Sequence, residues 1–170
     1  MKKLSEVYRE MGVAFAFPVE IKNEAGNATY YETSDGFWVK REYDSDGNGT
    51  YYEDSLGYWH KREYDSDGNE TSHEDSYGYW RKCEYDSDGN ETYYKDSNGV
   101  WCEREYDSDG NETSYKNSKS YWRKREYDAA GNETYSENSN DYKKGTPRAS
   151  KTCEGKVVEV DGVKYQLKSL

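Results

Sequence analysis

The residues best suited to holding a cation sit in five short loops. They read D-S-D-G-N at residues 44–48, 65–69, 86–90 and 107–111, and D-A-A-G-N at 128–132. A calcium loop of the form D-x-[DN]-x-[DN]-G needs several oxygens converging on one point and a bidentate Glu further on. That Glu is missing at the required offset, and Ala129 and Ala130 delete the ligands of the last loop. The same string is turn chemistry, because Asp accepts local N–H groups and Gly followed by Asn tolerates positive φ. The loops are therefore read as hairpin turns, with no metal and no cofactor. The asparagines also open six N-x-T triplets, at Asn27, Asn48, Asn69, Asn90, Asn111 and Asn132. These would be glycosylation acceptors in an exported eukaryotic chain, but a turn Asn before a strand Thr accounts for them. His60 and His73 are the only histidines, and each stands at a variable position. No G-x-S-x-G, P-loop, H-E-x-x-H or Cys–His pair occurs. No catalytic residue is assigned, and the chain is read as a non-enzyme.

The elements that carry these loops repeat every 21 residues, and such a period governs the fold. Trp38, Trp59, Trp80, Trp101 and Trp122 mark it. Glu42, Glu63, Glu84, Glu105 and Glu126 follow, each before a Tyr-Asp pair whose tyrosines are Tyr43, Tyr64, Tyr85, Tyr106 and Tyr127. The idealised unit is W-x-K-R-E-Y-D-S-D-G-N-E-T-Y-Y-E-D-S-x-G-Y. It predicts two strands and two turns, with D-S-x-G as the second turn. Alternation places Trp59, Lys61 and Glu63 on one face and Tyr58, His60, Arg62 and Tyr64 on the other. Stacked repeats are expected to form tryptophan, tyrosine and acidic ladders at intervals of about 10 Å. The fold class is all-β, an extended antiparallel sheet or solenoid of hairpins with nearest-neighbour coupling.

Composition agrees with a thin sheet. Charged residues make up 35% of the chain and hydrophobic residues 32%, which approaches the disordered range. The aromatic share of 16% argues for order, because each ring buries a large area. The net charge of −11 is uneven: −2 over residues 1–37, −13 over 38–142 and +4 over 143–170. An acidic body disfavours direct binding of nucleic acid and favours a basic partner, and it also keeps a long sheet soluble. Cys83, Cys102 and Cys153 show no spacing of a disulfide framework or zinc site. Cys83 and Cys102 stand where long side chains are usual, and they read as drift. The first ten residues are charged where a signal peptide needs an apolar run, and no stretch could span a bilayer. The expected location is the cytoplasm of a bacterial host.

Four segments are expected. Residues 1–20 form a cap, with a helix over 3–11 presenting Leu4, Val7, Tyr8 and Met11, then an apolar strand at 13–21. Residues 21–142 form the array, whose first and last repeats are degenerate. Residues 143–153 read as a linker and 154–170 as a hairpin with Asp161-Gly162 at its tip.

The recurring E-Y-D-S-D-G-N-E-T resembles the YD repeat of RHS proteins and teneurins over roughly residues 21–142. That resemblance implies a hairpin-repeat fold. The repeated Trp and near-identical units depart from the usual pattern and look more like small, recently expanded phage or mobile-element repeat proteins. The expectation is a binding protein that blocks a basic host protein of the nuclease or CRISPR-effector class. Its acidic surface would comprise Glu42, Asp44, Asp46, Glu63, Asp65, Asp67, Glu84, Asp86, Asp88, Glu105, Asp107 and Asp109. The alternatives are a carbohydrate-binding or adhesion array, using the exposed rings, and a structural spacer. Oligomeric state is not legible in the sequence.

Overall fold

Period-two alternation interrupted every five or six residues by Gly-bearing turns dictates a meander. The computed structural model describes residues 3–148, 157–160 and 163–166. A helix, α1 (Leu4–Glu10), precedes thirteen strands in one antiparallel sheet whose spatial order is the chain order. They are β1 (Val19–Lys22), β2 (Ala28–Glu32), β3 (Trp38–Tyr43), β4 (Gly49–Asp54), β5 (Trp59–Tyr64), β6 (Glu70–Asp75) and β7 (Trp80–Tyr85). Then come β8 (Glu91–Asp96), β9 (Trp101–Tyr106), β10 (Glu112–Asn117), β11 (Trp122–Tyr127), β12 (Glu133–Asn138) and β13 (Lys143–Gly145). A separate pair, β14 (Val157–Val160) and β15 (Val163–Gln166), forms the C-terminal hairpin. Its expected tip and Cys153 lie outside the described residues. Lys143–Gly145 pairs with β12, so the sheet extends into the stretch that reads as a linker.

The sheet is open, and strand contacts run between sequence neighbours. Both turn types share one design. Asp44 donates its N–H to the Asn48 carbonyl at 3.0 Å, and its Oδ1 accepts from the N–H groups of Asp46 and Asn48. Asp54 repeats this with Leu56 and Tyr58 in the D-S-x-G turn. The turn glycines have φ of 79–88° wherever they occur in β3 to β10 turns, such as Gly47 at 88° and Gly99 at 79°. Ser120 and Asp141 replace two of them and are held at φ 61° and 60°.

The strand pairs do not place identical residues straight across. Glu42 faces Tyr51, Tyr51 faces Lys61, Lys61 faces Glu74 and Glu74 faces Trp80. A row thus advances 19 residues for every two strands, as from Glu42 to Lys61, while the sequence repeats every 21. Each repeat slides two residues along its neighbour. Equivalent side chains are therefore about 12 Å apart on oblique lines, wider than the straight ladders of about 10 Å expected. One bulge per unit, such as that between Glu42 and Tyr43, accompanies the slide.

The core is thin, and among the described residues the buried hydrophobic ones are few: Val19, Tyr30, Trp38, Val39, Cys83, Cys102 and Tyr135. α1 covers the first strands, although a helix of 7 residues has little stability alone. It docks on β2 through polar contacts. Ser5 donates from its N–H and Oγ to the Glu32 carboxylate at 3.1 and 2.5 Å, and Tyr30 Oη donates to the same group. Burial alone pushes this carboxyl up, but those bonds outweigh burial and hold it below its ordinary value. Met11 is exposed, not part of the docked face. The apolar strand expected at 13–21 starts only at Val19, because Pro18 supplies no N–H to a ladder. Phe15 instead packs against Tyr8 and Phe17.

Candidate functional site

The two sheet faces differ in chemistry. On the tryptophan face, a row crosses from Glu through Tyr or Ser, Lys or Glu, and Glu or Lys to Trp. Lys61, Glu63, Lys82 and Glu84 are exposed there. Trp38, which pairs across from the Glu32 that Ser5 of α1 binds, is 9% exposed, whereas Trp122 is 39% exposed.

The arginine face is cross-linked. Glu70 pairs with Arg62 at 3.4 Å and Arg81 at 2.6 Å, one on each neighbouring strand. Glu112 lies between Arg104 at 3.9 Å and Arg123, and Glu133 between Arg125 and Lys144, each at 3.3 Å. Glu91 pairs with Arg104. These four glutamates neutralise arginines across strands, and sequence reasoning missed them. The available signal was the E-T position, which lacks an acid only in the first repeats. Tyr115 is flanked by the guanidinium groups of Arg104 and Arg123, at 5.6 and 5.9 Å from its ring. In the preceding row Cys83 and Cys102 occupy those two flanking positions around Tyr94. Both cysteines are buried, and burial pushes each thiol up. The two cysteines thus meet one tyrosine from both sides, as Arg104 and Arg123 meet Tyr115. A ring stack, Tyr52–His60–His73, runs across β4 to β6 at 5.2 and 5.6 Å.

The expected aromatic ladder has a structural task. Tyr43 Oη donates to the Ala28 carbonyl, Tyr64 to Gly49, Tyr85 to Glu70, Tyr106 to Glu91 and Tyr127 to Glu112, at 3.1–3.2 Å. Each phenol reaches back to the bulge of the preceding hairpin and fastens the two together. Burial pushes the Tyr85 hydroxyl up to about 12.

The twelve acids expected to form one binding surface are divided between three environments. Asp44, Asp65, Asp86 and Asp107 accept turn N–H groups, and Asn48, Asn69, Asn90 and Asn111 donate side-chain amides to them. The asparagine amide is the leading cause that holds Asp44, Asp65 and Asp86 below the usual carboxylate range. At Asp107 and Asp128 the leading cause is the asparagine backbone N–H. Asp46, Asp67, Asp88 and Asp109 are exposed at the loop tips along one sheet edge. Glu42, Glu63, Glu84 and Glu105 stand on the tryptophan face, with Glu42 already 2.5 Å from Lys40. The D-A-A-G-N turn keeps the same bonds through Ala130 and Asn132, so the missing Ser and Asp are not needed for the turn. Among the described residues no group of three or more His, Cys, Asp or Glu is placed to hold a metal ion.

No family model and no curated protein matches this chain. Solved structures share its fold. One described as TcdB2-TccC3 matches with a TM-score of 0.50 at 15% identity, over 69% of this chain and 7% of that one. Another, described as TcdB2-TccC3-Cdc42, matches with a TM-score of 0.50 at 15% identity, over 80% of this chain and 8% of that one. The chain therefore spans less than a tenth of either. The likeness is one of fold alone, a tandem array of β-hairpins. The expected partner, a nuclease or CRISPR effector, does not stand: the named companion in the second structure is Cdc42. The physical reason agrees, because turns and cross-strand arginines already satisfy much of the acidity that suggested such a partner.

Proposed function

We propose that the chain is a non-catalytic scaffold, a semi-rigid ribbon that holds what it joins at a set spacing and meets other proteins through its sides. The observation that carries this is where the specific contacts go. The tyrosine hydroxyls, the Glu–Arg pairs and the turn carboxylates all bind a neighbouring strand or their own turn. A repeat built this way specifies architecture more than a ligand. The likeness to short segments of the much larger TcdB2-TccC3 chains supports the same reading through fold alone. An origin in a phage or mobile element rests on the near-identity of the units, and the scaffold reading does not need it.

Two variants compared by lysate capture test the proposal. One deletes residues 80–100, a whole unit, and the other replaces Asp46, Asp67, Asp88 and Asp109 by Ser. A scaffold keeps its captured proteins in the deletion, and the tip replacements change only salt-sensitive background. A captured protein lost from both variants contradicts the scaffold and favours a register-dependent acidic binding surface.

A further inference from the structure

An open sheet ends in edge strands, and an uncovered edge is a template for pairing with another chain. The two edges of this sheet differ in charge. β13 carries Lys143 and Lys144, so pairing with its own copy would set lysine beside lysine. β1 carries Glu20 and Lys22, one charge of each sign. Among the described residues no strand lies beyond β1, and Glu20, Ile21 and Lys22 are all exposed.

The backbone of β1 is set for a partner. The Asn23 N–H donates to the Asn27 carbonyl at 2.9 Å, and Thr29 Oγ1 donates to the Ile21 carbonyl at 3.2 Å. Ile21 and Asn23 thus turn their backbone groups toward β2. By alternation, Glu20 and Lys22 turn their N–H and C=O groups to the open edge. A second β1 laid antiparallel and centred on Ile21 brings Glu20 opposite Lys22 of the other copy, and Lys22 opposite its Glu20. Each such pair exchanges both backbone hydrogen bonds and sets opposite charges across the junction. The same two side chains already share a face within one chain, at 3.6 Å. The central Ile21 residues form the closer, non-hydrogen-bonded pair, with Cα atoms about 4.5 Å apart. Ile21 is 38% exposed, and with Leu4, Val7 and Tyr30 it forms the apolar wall of a groove of about 650 Å³. The Ile21 of the second copy covers its exposed side. We propose that the chain forms a two-fold dimer through β1, two arrays joined edge to edge in one continuous sheet. The dimer does not rest on the scaffold reading, since any open array with this edge would form it.

Sedimentation velocity on the full chain tests this, with circular dichroism on each variant to show that the sheet is intact. The contact is at the small end of specific interfaces, so the expected Kd is on the order of 0.1 mM, within reach of a series up to about 1 mM. Lys22→Glu sets like charges opposite at both ends of the junction and should weaken association by about tenfold, and Glu20→Lys should do the same. The double variant, Glu20→Lys with Lys22→Glu, exchanges the signs in the same register and should return to within about threefold of the unaltered chain. Lys143→Glu with Lys144→Glu, at the other edge, should leave the dimer unchanged. X-ray scattering of the dimer should show a longest dimension nearly doubled at constant cross-section. The proposal is overturned by a monomer throughout the series, by a dimer that survives both single reversals, or by a double variant as weak as the singles. Loss of the dimer in the β13 variant, or a thickened cross-section, overturns it equally.

Discussion

Replacing Tyr85 by Phe removes one oxygen and leaves ring packing in place. In the native sheet that hydroxyl donates to the Glu70 carbonyl at 3.1 Å, across the junction between two hairpins. A net protein hydrogen bond is worth about 0.5–1.5 kcal/mol, and the carbonyl left behind is only half-buried. The expected loss is about 1 kcal/mol. With a urea m-value of about 2 kcal/mol/M, the unfolding midpoint should fall by about 0.5 M. Tryptophan fluorescence during urea unfolding reads this directly, since every unit carries one Trp. Tyr64→Phe and Tyr106→Phe remove the equivalent bonds to Gly49 and Glu91 and should cost similar amounts. These two sites are four strands apart, so the double variant should lose about 2 kcal/mol by addition. Losses below about 0.3 kcal/mol at all three positions would refute the claim that YD tyrosines fasten hairpin to hairpin through their hydroxyls.

Three further outcomes follow from the same contacts. Ser120→Gly relieves a left-handed backbone position at φ 61° and should raise stability by about 0.5–1 kcal/mol; an unchanged urea midpoint counts against strain there. The turn aspartates Asp44, Asp65, Asp86, Asp107 and Asp128 have folded pKa values below their unfolded ones. Their contribution is complete above about pH 4 and should be lost as pH falls through the folded values, so thermal stability should drop steeply there; a flat profile below pH 4 argues against turn carboxylate bonding. Burial, with Arg62 and His73 alongside, holds His60 below its ordinary value. Its neutral form therefore stabilises the fold above about pH 6.5, and stability should decline as pH falls from there, less so in His60→Gln.

Much of the architecture was legible because the repeat states it five times. The turns could be read from Asp, Gly and Asn at fixed offsets, and the faces from alternation around Trp59. The two-residue slide could not be read. It depends on how each bulge and turn closes, and only the pairing of Glu42 through Lys61 to Trp80 reveals it. For the same reason the sequence suggested straight acidic ladders, while Glu70 and Glu112 proved to be tied to arginines on both sides. The paired placement of Cys83 and Cys102 around Tyr94 was hidden too, because residues 19 apart in sequence meet only through the stagger.

The repeat array is an open single sheet that lengthens by a fixed step per unit. Small-angle X-ray scattering on the full chain and on variants lacking residues 80–100, or 80–121, tests it most directly. Two strands and a two-residue slide per unit predict that the longest dimension shortens by about 12 Å per unit removed, with an unchanged cross-section. A longest dimension that stays constant, or a cross-section that thickens as units are removed, would contradict it.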